Sequence, residues 1–213
     1  MIEDSAQSIG SKFNNQNSGT FGDFGCFSTH PLKNLNAIGD GGFIITNNDN
    51  ATEKIKKIRN HGMIDRVTVS EWGWVSRMDS LQAAILDYRL LKLQNVINQR
   101  RKNAFLYTKL LKNDNIFIPL EKIEEFNTYH TFVIQCKERD KLQMYLSNKG
   151  IKTSIHYPMP IHLQPAAKNL NYKKGDFPVT EKQANEILTL PINEFLTRQN
   201  IHDISSEILN FYE

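Results

Sequence analysis

The sequence predicts an α/β protein: an incomplete mixed sheet with helices, followed by a smaller α+β carboxyl-terminal domain. Three observations carry this. Two short apolar segments bounded by glycine or asparagine, DFGCFS and GGFIITN, read as buried strands near the start. From Met78 the pattern turns helical, with Leu81, Ala84, Ile85, Tyr88 and Leu91 at three- and four-residue steps, one apolar helix face. Beyond that helix, YHTFVIQC, RDKLQMYLSNKG and IKTSIHYP read as strand, helix and strand. The boundary is expected near residue 90, giving a sheet domain over 1–90 and, over 91–213, linking helices with the small domain.

In chain order, IED reads as the carboxyl end of a strand running into a turn, where open α/β sheets gather their ligand-binding residues. Asp4 and Gln7 sit there. Their spacing fits a helix capping box equally well. Residues 13–23, FNNQNSGTFGD, form a turn-laden connection. NATEKIKKIRNHG predicts a helix ended by Gly62 as its C′ residue. A loop over 63–77 carries Trp72, Trp74 and Arg77, and Arg77 reads as a structural ion-pair residue. After the Met78 helix, RRKNAFLYTKLLKN predicts a second one, and Gly150 ends the helix of the small domain. A proline-rich piece, YPMPIHLQP, precedes two further helices near TEKQANEILTL and RQNIHDISSEILNFYE.

Composition narrows the function. With 26 Lys+Arg against 23 Asp+Glu, the net charge of +3 is too slight and dispersed to argue for nucleic acid. No apolar run approaches the roughly 18 residues a membrane span needs. Cys26 and Cys136 form no CxxC, so neither a metal site nor a disulfide framework is indicated. A reduced, cytoplasmic setting is the expectation.

The candidate chemistry lies in FSTHPLKNLNAIGDGG, residues 27–42. It holds one lysine, Lys33, in a turn between two strands. Such a lysine is either a solvated loop charge or a desolvated amine with a lowered pKa, able to attack a carbonyl. Ser28 and His30 share its loop. The glycines at 39, 41 and 42 are expected to allow positive φ and close backbone approach.

Taken together, EDSAQ, GDFGCFSTHPLKNLNAIGDGG, IRNHG, SRMDSLQAAIL, HYPMPIHLQPA and GDFPVTEKQANEILTLP resemble, in order and over essentially the whole chain, the DegT/DnrJ/StrS sugar aminotransferases. These are pyridoxal-phosphate enzymes of fold type I. The resemblance implies that the chain is the carboxyl-terminal part of such an enzyme, with a partial fold type I large domain. It implies pyridoxal 5'-phosphate as cofactor, held as a Schiff base on Lys33, which also moves the proton in catalysis. Asp4 would face the ring nitrogen, Gln7 the ring hydroxyl, and Ser28 the phosphate. His30, and His156 with Tyr157 in HYPMPIH, would lie near substrate. Where the family commonly reads G-x-N-S-R, this chain has Val75 in place of the asparagine that reaches the partner subunit's cofactor phosphate.

The implied reaction is transamination of a nucleotide-linked keto-deoxysugar to an amino sugar, with glutamate as donor, in a homodimer. Lys33 places the chain apart from family members that dehydrate sugars, which carry histidine there. The GDGG after the lysine leans toward amination at the sugar's third carbon. The alternative expectation is a truncated or split-gene fragment, poorly soluble or oligomeric, without autonomous activity.

Overall fold

The computed structural model describes residues 1–213. Its elements are β1 (Ile2–Asp4), β2 (Lys12–Phe13), β3 (Gln16–Asn17), β4 (Phe24–Ser28), β5 (Gly42–Ile45), α1 (Asp49–Ile58), α2 (Ser80–Leu90) and α3 (Leu93–Leu110). There follow β6 (Ile116–Phe117), β7 (Glu125–Phe126), β8 (Phe132–Cys136), α4 (Arg139–Asn148), α5 (Pro178–Glu186), β9 (Ile187–Leu190) and α6 (Arg198–Asn210). They form two compact units, Met1–Asn98 with Glu121–His130, and Gln99–Leu120 with Thr131–Glu213.

The first unit is built on a mixed sheet of order β1-β4-β5, in which β1 runs parallel and β5 antiparallel to β4. Asp4 pairs with Cys26 and Gly42 with Ser28. On β4 the even-numbered residues are half-buried, whereas Gly25 and Phe27 on the other face are buried. Gly25 is required by crowding: a Cβ there would stand 2.3 Å from the Gly19 carbonyl oxygen and 2.7 Å from its Cα. Backbone cannot yield cheaply. Gly25→Ala is expected to cost about 1–3 kcal/mol, read as a lower urea midpoint at unchanged slope.

The connection over 13–23 contains a small hairpin that local composition hides. β2 pairs with β3 around Asn14 and Asn15, whose φ values of 47° and 63° make the two-residue turn that right-twisted strands favour. β7 adds a third strand against β2. The helix α1 stops at Ile58, capped by Asn48 at its start, and so ends earlier than Gly62 implied. Gly62 uses its φ of +72° in the following turn instead, donating its N–H to the Lys57 carbonyl at 3.0 Å.

α2 corrects the expected apolar face. Leu86 is the residue it buries, against Leu35 and Ala37 of the lysine loop, with Ile9, Met78 and Leu93 around them. Leu81, Ala84, Tyr88 and Leu91 are exposed, and Ile85 is half-buried. The periodicity was real; the buried side is the opposite one.

The second unit centres on the antiparallel sheet β6-β8-β9, with α4 packed against β9, α5 against β8, and α6 against α4. Ile134, Leu142, Leu146, Leu188, Ile201 and Ile208 are fully buried there. Two expectations fail. The run TEKQANEILTL is helical only to Glu186; Ile187–Leu190 is the strand β9, paired with β8 from Phe132↔Leu190 to Gln135↔Ile187. Conversely, IKTSIHYP forms only a single bridge, Ser154↔Thr189. β-Branched and aliphatic side chains at 187–190 fill the sheet position better than a segment running into Pro158 and Pro160. Gly150 does terminate α4, at φ +76° just beyond the cap Lys149.

Candidate functional site

The site grows from the carboxyl ends of β1 and β4. In a parallel pair, side chains of partnered residues point to one face, and residues two apart on a strand share it. Asp4, its partner Cys26 and then Ser28 therefore line one face of the sheet. Gly42, opposite Ser28, leaves that face without a side chain. Its Cβ would in any case meet the Phe27 carbonyl oxygen at 2.6 Å.

Asp4 caps no helix: its Oδ1 accepts the Ala6 N–H at 3.1 Å in a turn, and turns rather than helix follow. The capping reading of Asp4 and Gln7 falls. Both side chains are exposed. The turn below them is held by the Ser5 N–H to the Cys26 carbonyl, 2.9 Å, and by hydroxyl contacts of Ser18 with Ser5 and Ser8.

Beyond Ser28 the chain makes a closed loop. Thr29 N–H donates to the Gly41 carbonyl and Ala37 N–H to the Thr29 carbonyl, both at 2.8 Å, which ties the loop base. Lys33 N–H donates to the His30 carbonyl at 2.8 Å, so the lysine ends a tight turn. Ser28 Oγ accepts the His30 N–H at 3.3 Å, leaving its own proton available. His30 is exposed; its Nδ1 accepts the Leu32 N–H at 3.2 Å and its Nε2 lies 3.9 Å from Asp40. The Nδ1 acceptor role makes Nε2 the protonated nitrogen of the neutral ring.

Lys33 is half-buried. Burial holds its ammonium below the ordinary lysine value, while the Asp4 carboxylate pulls it back upward. The structure thus brings Asp4, Ser28, His30 and Lys33 onto one strand-end region of the first unit, with Gln7 three residues beyond Asp4. His156 and Tyr157 belong to the second unit, where His156 Nδ1 lies 2.9 Å from Thr189 Oγ1 and Tyr157 is exposed.

Several supports of the loop escape a sequence reading. Asn34, which the sequence reads as shaping the turn, is buried and does so through a distant partner the sequence does not name: its Nδ2 donates to the Thr128 carbonyl at 2.9 Å. Gln82 Oε1 accepts the Ile38 N–H at 2.9 Å, and Arg89 Nη1 donates to the Asn36 carbonyl at 2.6 Å. The glycines of GDGG serve close approach alone, since none of Gly39, Gly41 and Gly42 has positive φ. A Cβ at Gly41 would meet the buried Thr29 Oγ1 at 2.6 Å, and one at Gly39 the Gln82 amide at 2.5 Å. Arg77 is exposed and makes no ion pair. Val75 is exposed too, and pairs through its backbone with Asn60.

A family model described as the DegT/DnrJ/EryC1/StrS aminotransferase family matches residues 1–209. The chain belongs to this family. Among its DegT/DnrJ/EryC1/StrS relatives is the "Pleiotropic regulatory protein" of Geobacillus stearothermophilus, 40% identical over 215 residues, covering 100% of this chain and 58% of that protein. A second is the dTDP-3-amino-3,6-dideoxy-alpha-D-galactopyranose transaminase of Aneurinibacillus thermoaerophilus, 37% identical over 212 residues, covering 100% of this chain and 58% of that protein. Among solved structures, S. venezuelae DesV, crystallised in complex with a ketimine intermediate, superposes with a TM-score of 0.95 at 31% identity, covering 100% of this chain and 57% of that one. The chain thus spans a little under three fifths of the length of these DegT/DnrJ/EryC1/StrS proteins.

Proposed function

We propose that this chain carries the lysine half of a pyridoxal-phosphate site and takes part in transamination of a nucleotide-linked keto-deoxysugar, with glutamate as amino donor. The observation that carries the reading is Lys33: an amine with burial-lowered basicity, on a braced loop, within electrostatic reach of Asp4. The donor set suits the cofactor. An amine answers its aldehyde, a carboxylate its ring nitrogen, and a free hydroxyl proton its phosphate. When bound, pyridoxal phosphate supplies an electron sink for the carbon bearing the amino group.

In this reading Lys33 Nζ would hold the cofactor and would serve as the acid and base for the proton at the reacting carbon. Asp4 would keep the ring nitrogen protonated. Ser28 Oγ–H would donate to the phosphate. Gln7 borders the ring hydroxyl, and His30, His156 and Tyr157 contact substrate. We read the first unit as part of a fold type I large domain, the second as its small carboxyl-terminal domain, and the working assembly as a homodimer in the cytoplasm. The third carbon of the sugar is the proposed position of amination, supported by GDGG and by the name of the Aneurinibacillus relative.

A second reading, that these 213 residues do not turn over alone, is favoured by the exposed apolar stripe of α2. One experiment addresses both. The chain is incubated with pyridoxal phosphate, glutamate and a dTDP-linked 3-keto-6-deoxysugar, and products are followed by mass spectrometry. A keto-to-amine mass change with formation of 2-oxoglutarate is the expected result. A covalent cofactor adduct without amine transfer would leave the second reading standing, and no adduct at all would sink the first.

A further inference from the structure

We propose that Arg89 is a positioning residue for Lys33, acting through the side-chain amide of Asn36 on both ends of the turn that carries the lysine. The inference rests on Lys33 being the reactive amine of the proposed function, and it assigns work to a helix outside the lysine loop.

Arg89 lies in the last turn of α2 and is half-buried. Its Nη1 donates to the Asn36 backbone carbonyl at 2.6 Å and to Asn36 Oδ1 at 2.8 Å, with the Ala37 carbonyl at 3.4 Å. A guanidinium only donates, so the Asn36 amide must present its oxygen to Arg89 and its nitrogen away. That nitrogen donates to the Pro31 carbonyl at 2.8 Å. One amide thereby joins residue 31, two before the lysine, to residue 36, three after it. Arg89 fixes which way the amide faces. Without it the amide is free to rotate, and the Pro31 end of the turn is released.

The helix is suited to this grip. Gln82, Leu86 and Arg89 stand at i, i+4 and i+7, one face of α2. Gln82 takes the Ile38 N–H, Leu86 packs on Leu35 and Ala37, and Arg89 takes Asn36. A hydrogen bond from a charged donor is stronger than a neutral one. Arg89 is therefore the stronger of the two polar ties. A loosened turn would let water reach the Lys33 amine, and the desolvation that lowers its basicity would fade.

The test needs no cofactor. The pH dependence of acetylation at Lys33 is read by peptide mass spectrometry, with Lys102, exposed on α3, as the reference in the same digest. Wild type, Arg89→Ala, Arg89→Lys, Asn36→Ala and the Arg89→Ala/Asn36→Ala double variant are compared, each with its melting temperature. The expected result is a Lys33 midpoint that moves up in both alanine variants while Lys102 stays, with Arg89→Lys in between. The double variant should shift no further than the larger single one, because both act through the same amide. An unchanged midpoint, whatever the melting temperature does, overturns the proposal, and so do shifts that simply add. If Arg89→Ala does not fold, Asn36→Ala and Arg89→Lys carry the test. A chain that acetylates as expected yet never binds pyridoxal phosphate would refute the proposed function and leave the clamp intact.

Discussion

Treated with pyridoxal phosphate and then borohydride near neutral pH, the chain is expected to carry the reduced adduct on Lys33, and Lys33→Ala to carry none at that position. The reason is the fraction of free amine. An ordinary lysine titrates near 10.4, so at pH 7.4 only about one in a thousand is unprotonated. Burial lowers Lys33 relative to that, which raises its share of free amine above that ordinary value. Reaction at solvated lysines sets the background, and peptide mapping separates the two. A wild-type adduct spread evenly over the lysines would remove the basis for the proposed chemistry.

Asp4→Asn is expected to act in two opposite directions. In the free chain, the Asp4 carboxylate stabilises the Lys33 ammonium and raises its pKa. Removing that charge lets desolvation act unopposed, so the Lys33 pKa falls further and the pH at which the adduct half-forms moves down. Adduct formation therefore survives, and begins at lower pH. Turnover should not survive. Losing a charge aimed at the site where charge develops costs on the order of 10²–10³ in rate, here because the ring nitrogen is no longer held protonated. Easier adduct formation together with slower amine transfer is the signature. A variant in which both quantities move the same way would place Asp4 outside this role.

The lysine loop was legible because its information is local. Turn formers fence Lys33, strand-like runs flank it, and β4 and β5 form where those runs lie. α1, α4 and α6 follow for the same reason: each has its own period or cap, as in the Thr197–Asn200 capping box that opens α6. What sequence could not supply was choice between partners. Nothing in SRMDSLQAAILDYRL says which side of the helix meets the loop, since Gln82 and Arg89 look like ordinary surface residues until Asn36 and Ile38 are placed beneath them. ILTL continues a helical period and becomes β9 because β8 offers it four backbone partners. Asp4 with Gln7 imitates a cap, and only the absence of a helix after β1 shows otherwise.

α2 presents two unlike faces on one rod. Gln82, Leu86 and Arg89 grip the lysine loop, while Leu81, Ala84, Tyr88 and Leu91 look outward. Arg89 sits in the final turn, and helix ends are where hydrogen bonds open first. The lifetime of that turn is therefore a clock for the loop: each time it frays, the lysine loses its brace. Shielding the outward stripe from water would lengthen the interval between openings without touching the lysine, and amide exchange at residues 88–90 would report it.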